Sequence, residues 1–180
     1  MRVVVYGIAV LLLALPCLAH DHPAHLGTDG ATLGSHKGMP APGMEVLAGF
    51  AYAEPAGAEL KGLPDGVVAK PLVPLPARVS ALDGKEVWVR GFMLPAEMDA
   101  HGVRSFLLVG GMPGCCFSSE PKMNQWITVN MGDGPYPDFT PDDPVWVRGV
   151  LSVREEIRHG ELRSLYRMRG LEVDDSAAGE

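Results

Sequence analysis

The sequence predicts an all-β protein: a small five-stranded barrel with Greek-key connectivity, preceded by an extended Pro- and His-rich leader. A β-sandwich is the alternative. Three observations lead there. Five segments between residues 87 and 173 read as strands, four by alternating apolar and polar side chains and one as a short apolar run. The 180 residues include 22 glycines and 16 prolines, a content that disfavours long helices. The pentapeptide Val-Trp-Val-Arg-Gly occurs at 87–91 and again at 145–149, which suggests two similar strands at equivalent places in one sheet system.

The first strand is Val87 to Leu94, with Val87, Val89 and Met93 on one face and Trp88, Arg90 and Phe92 on the other. Ser105 to Val109 is a short apolar run. Trp126 to Met131 alternates with Ile127, Val129 and Met131 on one side, and Val145 to Val153 and Leu162 to Val173 alternate likewise. His101-Gly102 and His159-Gly160 sit between alternating segments, where a hairpin needs a residue tolerant of positive φ followed by glycine. Both histidines therefore read as turn residues rather than ligands. Gly91 and Gly149 interrupt strands, as expected where a barrel strand bends or bulges. Short strands, long hairpins and mid-strand glycines suit a barrel of the OB type.

A charged start at Arg2, an apolar run from Val3 to Ala19 and a Cys-Leu-Ala end read as a secretory signal peptide over 1–19. An uncleaved membrane anchor, the sole route to membrane contact, and a lipid-anchored Cys17 are the alternatives. Pro16 directly before Cys17 counts against the lipoprotein reading. The chain then divides into a His- and Pro-rich leader at 20–76, the β domain at 77–175 and a tail at 176–180. Within the leader, Met44 to Tyr52 reads as a short helix or docking segment. The expected compartment is the periplasm, and loss of Arg2 would take the net charge from −7 to −8, which argues against nucleic acid as a partner.

Cleavage after Ala19 leaves two cysteines, Cys115 and Cys116, adjacent in a long glycine-rich segment between the second and third strands. Three readings stay open. A vicinal disulfide would be strained, because adjacent Cα atoms lie about 3.8 Å apart. Thiolates could bind a soft metal such as copper or zinc, with Met112 and Met123 nearby. Alternatively, one cysteine packs in the core and the other is tolerated. No Cys-x-x-Cys is present.

Gly114-Cys115-Cys116-Phe117, then Pro121 and Asn124-Gln125, then an Ile/Val strand, form a recognisable pattern. Together with the Leu82-Asp83-Gly84-Lys85 strand start and the Phe106-Leu107-Leu108-Val109 strand, it resembles a family of uncharacterised bacterial exported proteins, a domain of unknown function. The resemblance spans about Leu75 to Val173 and implies a small exported β domain. It implies no activity. Some relatives carry Gly-Ala-Cys-x-His. Here Cys116 is the matching cysteine, Cys115 stands for the alanine and Ser118 for the histidine, so a Cys–His metal site does not carry over whole.

A mature chain starting His20-Asp21-His22 would offer a free amine, two backbone amides and an imidazole in a square plane, which suits Cu(II) or Ni(II). His25 and His36 add ligand capacity on the same tail; a plain polar leader is the competing reading. Trp88 and Trp146 occupy equivalent outward positions beside Arg90 and Arg148. They form either a partner-binding face or a surface packed against the Pro-rich segment, and the second is preferred. Arg163, Arg167 and Arg169 share one strand face. It reads as a solvated face paired with Glu155, Glu156 and Glu161, or else as an anion- or partner-binding surface.

Residues 133–143 lack calcium-loop spacing, and no Gly-x-Ser-x-Gly, His-Glu-x-x-His or phosphate loop occurs. The expected function is thus a non-enzymatic periplasmic binding or accessory protein. It would handle copper or zinc beside a membrane transporter or another periplasmic protein. A thiol-redox protein using Cys115-Cys116 and a plain partner-binding domain are the alternatives.

Overall fold

The structure, a computed structural model, describes residues 33–68, 70–111 and 121–175. Among them, a hairpin of β1 (Gly34–His36) and β2 (Met39–Ala41) comes first. Helix α1 (Met44–Ala48), helix α2 (Gly57–Leu60), a two-residue strand β3 (Gly66–Val67) and helix α3 (Ala77–Ser80) follow. The remaining strands are β4 (Lys85–Asp99), β5 (Gly102–Val109), β6 (Trp126–Asn130), β7 (Pro144–Arg158) and β8 (Glu161–Asp174). All five predicted strands are present, and β4, β7 and β8 run longer than their clean alternation.

The pairings run β7–β4–β5–β6–β8 and return to β7, all antiparallel except β6–β8. This barrel-like arrangement agrees with the all-β expectation. Alternation explains which faces point inward: Val87, Val89 and Met93 of β4, Ile127 and Val129 of β6, and Val145, Val147, Leu151 and Val153 of β7 are all buried. Each such side chain contributes about 1.5–3 kcal/mol on leaving water.

The two predicted hairpins close where expected. Asp99 pairs with Gly102, whose φ is 121°, and Arg158 pairs with Glu161 around His159 (φ 56°) and Gly160 (φ 73°). The glycines divide differently from expectation. Pairing runs through Gly91 without a break, whereas the register shifts at Gly149. What the two share is close approach, for a Cβ on Gly91 would sit 2.6 Å from the Val109 carbonyl oxygen and one on Gly149 2.5 Å from that of Arg169.

The repeated pentapeptides are direct partners. Val87 faces Gly149, Trp88 faces Arg148, Val89 faces Val147, Arg90 faces Trp146 and Gly91 faces Val145. Residues opposite each other in an antiparallel pair share a face. Both tryptophans and both arginines therefore lie on the outer face, and the valines line the core.

Residues 33–76, read from sequence as leader, pack against this barrel in their described part. Leu47 and Tyr52 belong to the same buried cluster as Val89, Phe106 and Tyr166. The Tyr166 hydroxyl donates to the Leu47 carbonyl at 2.8 Å. Helix α1 falls inside the predicted Met44–Tyr52 segment. Among the described residues, no helix is long and apolar enough to cross a membrane.

Candidate functional site

The outer face of β4 and β7 is where the chain gathers its aromatic and cationic side chains, and the N-terminal hairpin divides it in two. Lys37 (φ 48°) and Gly38 (φ 76°) turn the hairpin, a geometry that fits the right-handed twist of two-residue loops. Its tip then lies over the Trp88 half of the face. The His36 ring stacks on Trp146 at 4.2 Å between centroids and 11° between planes, and meets Trp88 edge-on at 4.9 Å. The Lys37 ammonium sits 4.9 Å above the Trp88 ring and 2.6 Å from the Asp174 carboxylate. That carboxylate is 3.8 Å from His36 Nε2. Arg148 joins Glu86 at 2.7 Å and Glu172 at 2.9 Å on the same surface. Trp88 is left 1% exposed. The cover over Trp88 comes from His36 and Lys37 of the hairpin, in the His-rich stretch that precedes the Pro-rich segment expected to pack on the tryptophans.

The other half of the face stays open. Arg90, Phe92, Pro144 and Trp146 form one side of a groove of about 460 Å³. The hairpin base, Gly34 and Ala41, and the start of α1, Gly43 to Glu45, form the other. Gly110, at the end of β5, also lines it, and a Cβ there would lie 2.9 Å from Met44 Cβ, so only glycine lets α1 sit this close. Arg90 is exposed and makes no hydrogen bond or ion pair among the described residues, and the same is true of Glu45. The groove thus offers two opposite, uncommitted charges on an aromatic and aliphatic lining.

The chain after Gly110 carries the cysteines. Cys115 and Cys116 lie outside the described residues, as do His20, His22 and His25. Where the chain is described again, the signature residues have structural tasks. The Asn124 side-chain amide donates to the carbonyls of Ala48 at 3.3 Å and Phe50 at 2.9 Å, just past the end of α1, where the Ala48 carbonyl also accepts from the Phe50 N–H at 2.8 Å. Gln125 Oε1 accepts from the Lys122 N–H at 2.9 Å, and Glu54 accepts from the Met123 N–H at 3.1 Å.

His36, expected as an extra metal ligand on a tail, is instead held in a strand between two indoles. Among the described residues, no group of three or more His, Cys, Asp or Glu side chains is arranged to hold a metal.

The arginine face is only partly as expected. Arg163 meets Glu161 at 3.1 Å and Arg167 meets Glu156 at 3.7 Å, while Arg169 is exposed. Glu155 does not join them. It continues the inward parity of Val145 to Val153 and is fully buried. Its Oε1 accepts from the Tyr52 hydroxyl at 3.3 Å and the Leu72 N–H at 3.2 Å, and its Oε2 has no hydrogen-bond partner among the described residues. Burial, reinforced by the Glu155 charge, pushes the Tyr52 hydroxyl above its ordinary pKa, so it remains a donor. Asp83, which the sequence marks only as part of the Leu82–Lys85 strand start, accepts from the Val153 N–H at 3.0 Å and from Arg154 at 2.7 Å. Extending the alternation of β7 two residues past Val153 would have found Glu155. Nothing local in the sequence pointed to Glu45 or to this role of Asp83.

Fold and site together define a small barrel-like all-β domain with one sheet face half covered by its own N-terminal hairpin. The chain belongs to the DUF3299 family, described as a protein of unknown function, whose model matches residues 68–175. The barrel strands lie within that match, and the hairpin and α1 precede it. The chain is also similar to a crystal structure of a DUF3299 family protein from Pseudomonas aeruginosa PAO1, with 21% identity over 78% of this chain and 97% of that one and a TM-score of 0.48. No curated protein matches the sequence.

Proposed function

We propose that this protein is a non-catalytic binding domain of the periplasm that serves a membrane transporter or another periplasmic protein. Its binding site is the groove between the β4–β7 face and the N-terminal hairpin. The observation that carries the reading is the open half of that face, where an aromatic lining stands beside an arginine and a glutamate that have no partner among the described residues. Export rests on the leading segment, with its charged start, apolar run and small-residue end. The test is photo-crosslinking in the exporting cell, with the photoreactive residue placed at Phe92 in the groove or at Arg163 on the far hairpin. A discrete adduct from Phe92 and none from Arg163 supports the reading. Equal or absent adducts from both positions overturn it.

A second reading, transition-metal handling, is favoured by the His20-Asp21-His22 start and the Cys115-Cys116 pair. Native mass spectrometry of the untagged exported protein tests it. A chain beginning at His20 with bound copper or zinc is expected. The same metal content after replacement of His20, His22, His25, Cys115 and Cys116 would remove the basis for it. A mass two protons short, with the pair intact, would move Cys115 and Cys116 to redox chemistry instead.

A further inference from the structure

The groove's chemistry narrows what it takes. Four kinds of surface meet there: the Arg90 guanidinium, the Glu45 carboxylate, the aromatic and proline lining of Phe92, Trp146 and Pro144, and glycine backbone at Gly34, Gly43 and Gly110. A small molecule usually needs most of its surface enclosed to bind well, and this groove is open to solvent along one side. An extended chain is not so limited, because it continues beyond the groove at both ends. The glycines keep the relief low, which lets a second backbone come near. Alternate side chains of an extended segment point to opposite sides, so one series can face the groove while the other faces water.

Charge sets the side chains that would face inward. A guanidinium matches a carboxylate with paired, directional hydrogen bonds. The Glu45 carboxylate in the same lining matches an ammonium or guanidinium. Neither charge has an internal partner among the described residues, so neither must be released from a competing ion pair before binding. Between them, Phe92, Trp146 and Met44 offer contact to an apolar side chain.

Resting on the groove as the binding site, we propose that its ligand is an extended peptide segment of a partner protein. One acidic side chain of that segment lies on Arg90, one basic side chain on Glu45, and an apolar side chain between them. The segment is selected by charge pairing and seated by the aromatic lining.

Panning a random heptapeptide phage library on the full-length exported protein tests this. The selected peptides are then synthesised and titrated. Amide resonances of Gly34, Gly43 and Gly110 report whether a peptide occupies the groove. The expected consensus has an acidic and a basic residue flanking an apolar one, and these peptides shift the three glycines. Arg90→Glu should weaken them about tenfold, and reversing the charges of the peptide on the double variant Arg90→Glu, Glu45→Lys should restore binding. Both side chains are exposed, and unchanged thermal unfolding of the variants confirms that the fold is intact. Peptides that shift the glycines yet lack the charge pair, or that bind Arg90→Glu within about twofold, overturn the ligand class and leave the groove as a binding site. No enrichment, or enriched peptides that leave all three glycines unmoved, overturns both.

Discussion

Asp83 shows how one side chain can tie two segments together. It follows α3 and reaches across to β7, accepting from the Val153 N–H and from both Nε and Nη2 of Arg154. Burial raises its pKa, but the Arg154 hydrogen bond and charge and the Val153 N–H outweigh that, and the carboxyl is held below its ordinary value. A carboxyl depressed in the fold stabilises above its unfolded pKa and loses that contribution as pH falls through the folded one. Asp83→Ala is expected to cost about 1.5–3 kcal/mol at neutral pH in urea unfolding, as for hydrogen bonds to charged groups. Its difference from the wild type should shrink below about pH 4; a difference that is flat from neutral pH into that range would contradict the assignment. Asn124 is the neutral counterpart. Asn124→Ala leaves the Phe50 carbonyl without its donor and takes from the Ala48 carbonyl one of two, the Phe50 N–H remaining, and a loss of about 1–3 kcal/mol is expected. An unchanged urea midpoint would mean that water replaces the amide.

At the scale of elements, the hairpin β1–β2 is anchored at its end by buried Ala41 and at its tip by specific ring and charge contacts. His36 contributes the stack on Trp146, and Lys37 the ion pair with Asp174 and the contact over Trp88. Its own ladder is three residue pairs, too short to persist alone in water. His36→Ala should therefore loosen the hairpin while leaving the barrel folded. Tryptophan emission should shift to longer wavelength as Trp88 and Trp146 meet water. Thermal unfolding followed by far-UV circular dichroism should move little. Unchanged emission would show that the hairpin stays seated without the stack. Strand legibility followed the same logic. A short apolar run located β5, and alternation located β4, β6, β7 and β8, each with one wetter and one dry face. It could not locate β1 and β2, whose Lys37-Gly38 turn sits in a polar stretch with no apolar period to mark flanking strands.

At the scale of the molecule, the barrel depends on contacts between segments distant in sequence. Gly149 is one such point, since an added Cβ would meet both the Arg169 carbonyl and the Met168 side chain. Gly149→Ala should cost about 1–3 kcal/mol from overpacking, read as a lower thermal midpoint. The segment before the barrel is another. Leu47 and Tyr52 are buried in the common core, and Tyr166 finds its acceptor on Leu47. Deleting residues 34–76 should expose that core and leave the Tyr166 hydroxyl without its partner. The remaining chain is expected to lose cooperative unfolding. A shortened chain that still melts cooperatively near the parent temperature would instead place the start of the folding unit at residue 77.

The sequence alone determined the class, the five barrel strands, two of the turns and the aromatic and arginine residues of one outer face. These are short-range properties: period two marks which side of a strand is buried, and a positive-φ glycine between alternating segments marks a hairpin. Only the tertiary structure decided how that face is assembled. The repeated pentapeptides became partners through register, which brought Arg90 opposite Trp146. The hairpin closed one half of the face and left the other as a groove, and Glu45 entered it from a segment about 45 residues upstream of Arg90. Glu155 was drawn into the core because donors from Tyr52 and Leu72 await it there. Such outcomes depend on which distant surfaces the folded chain brings into contact, and no local pattern encodes that.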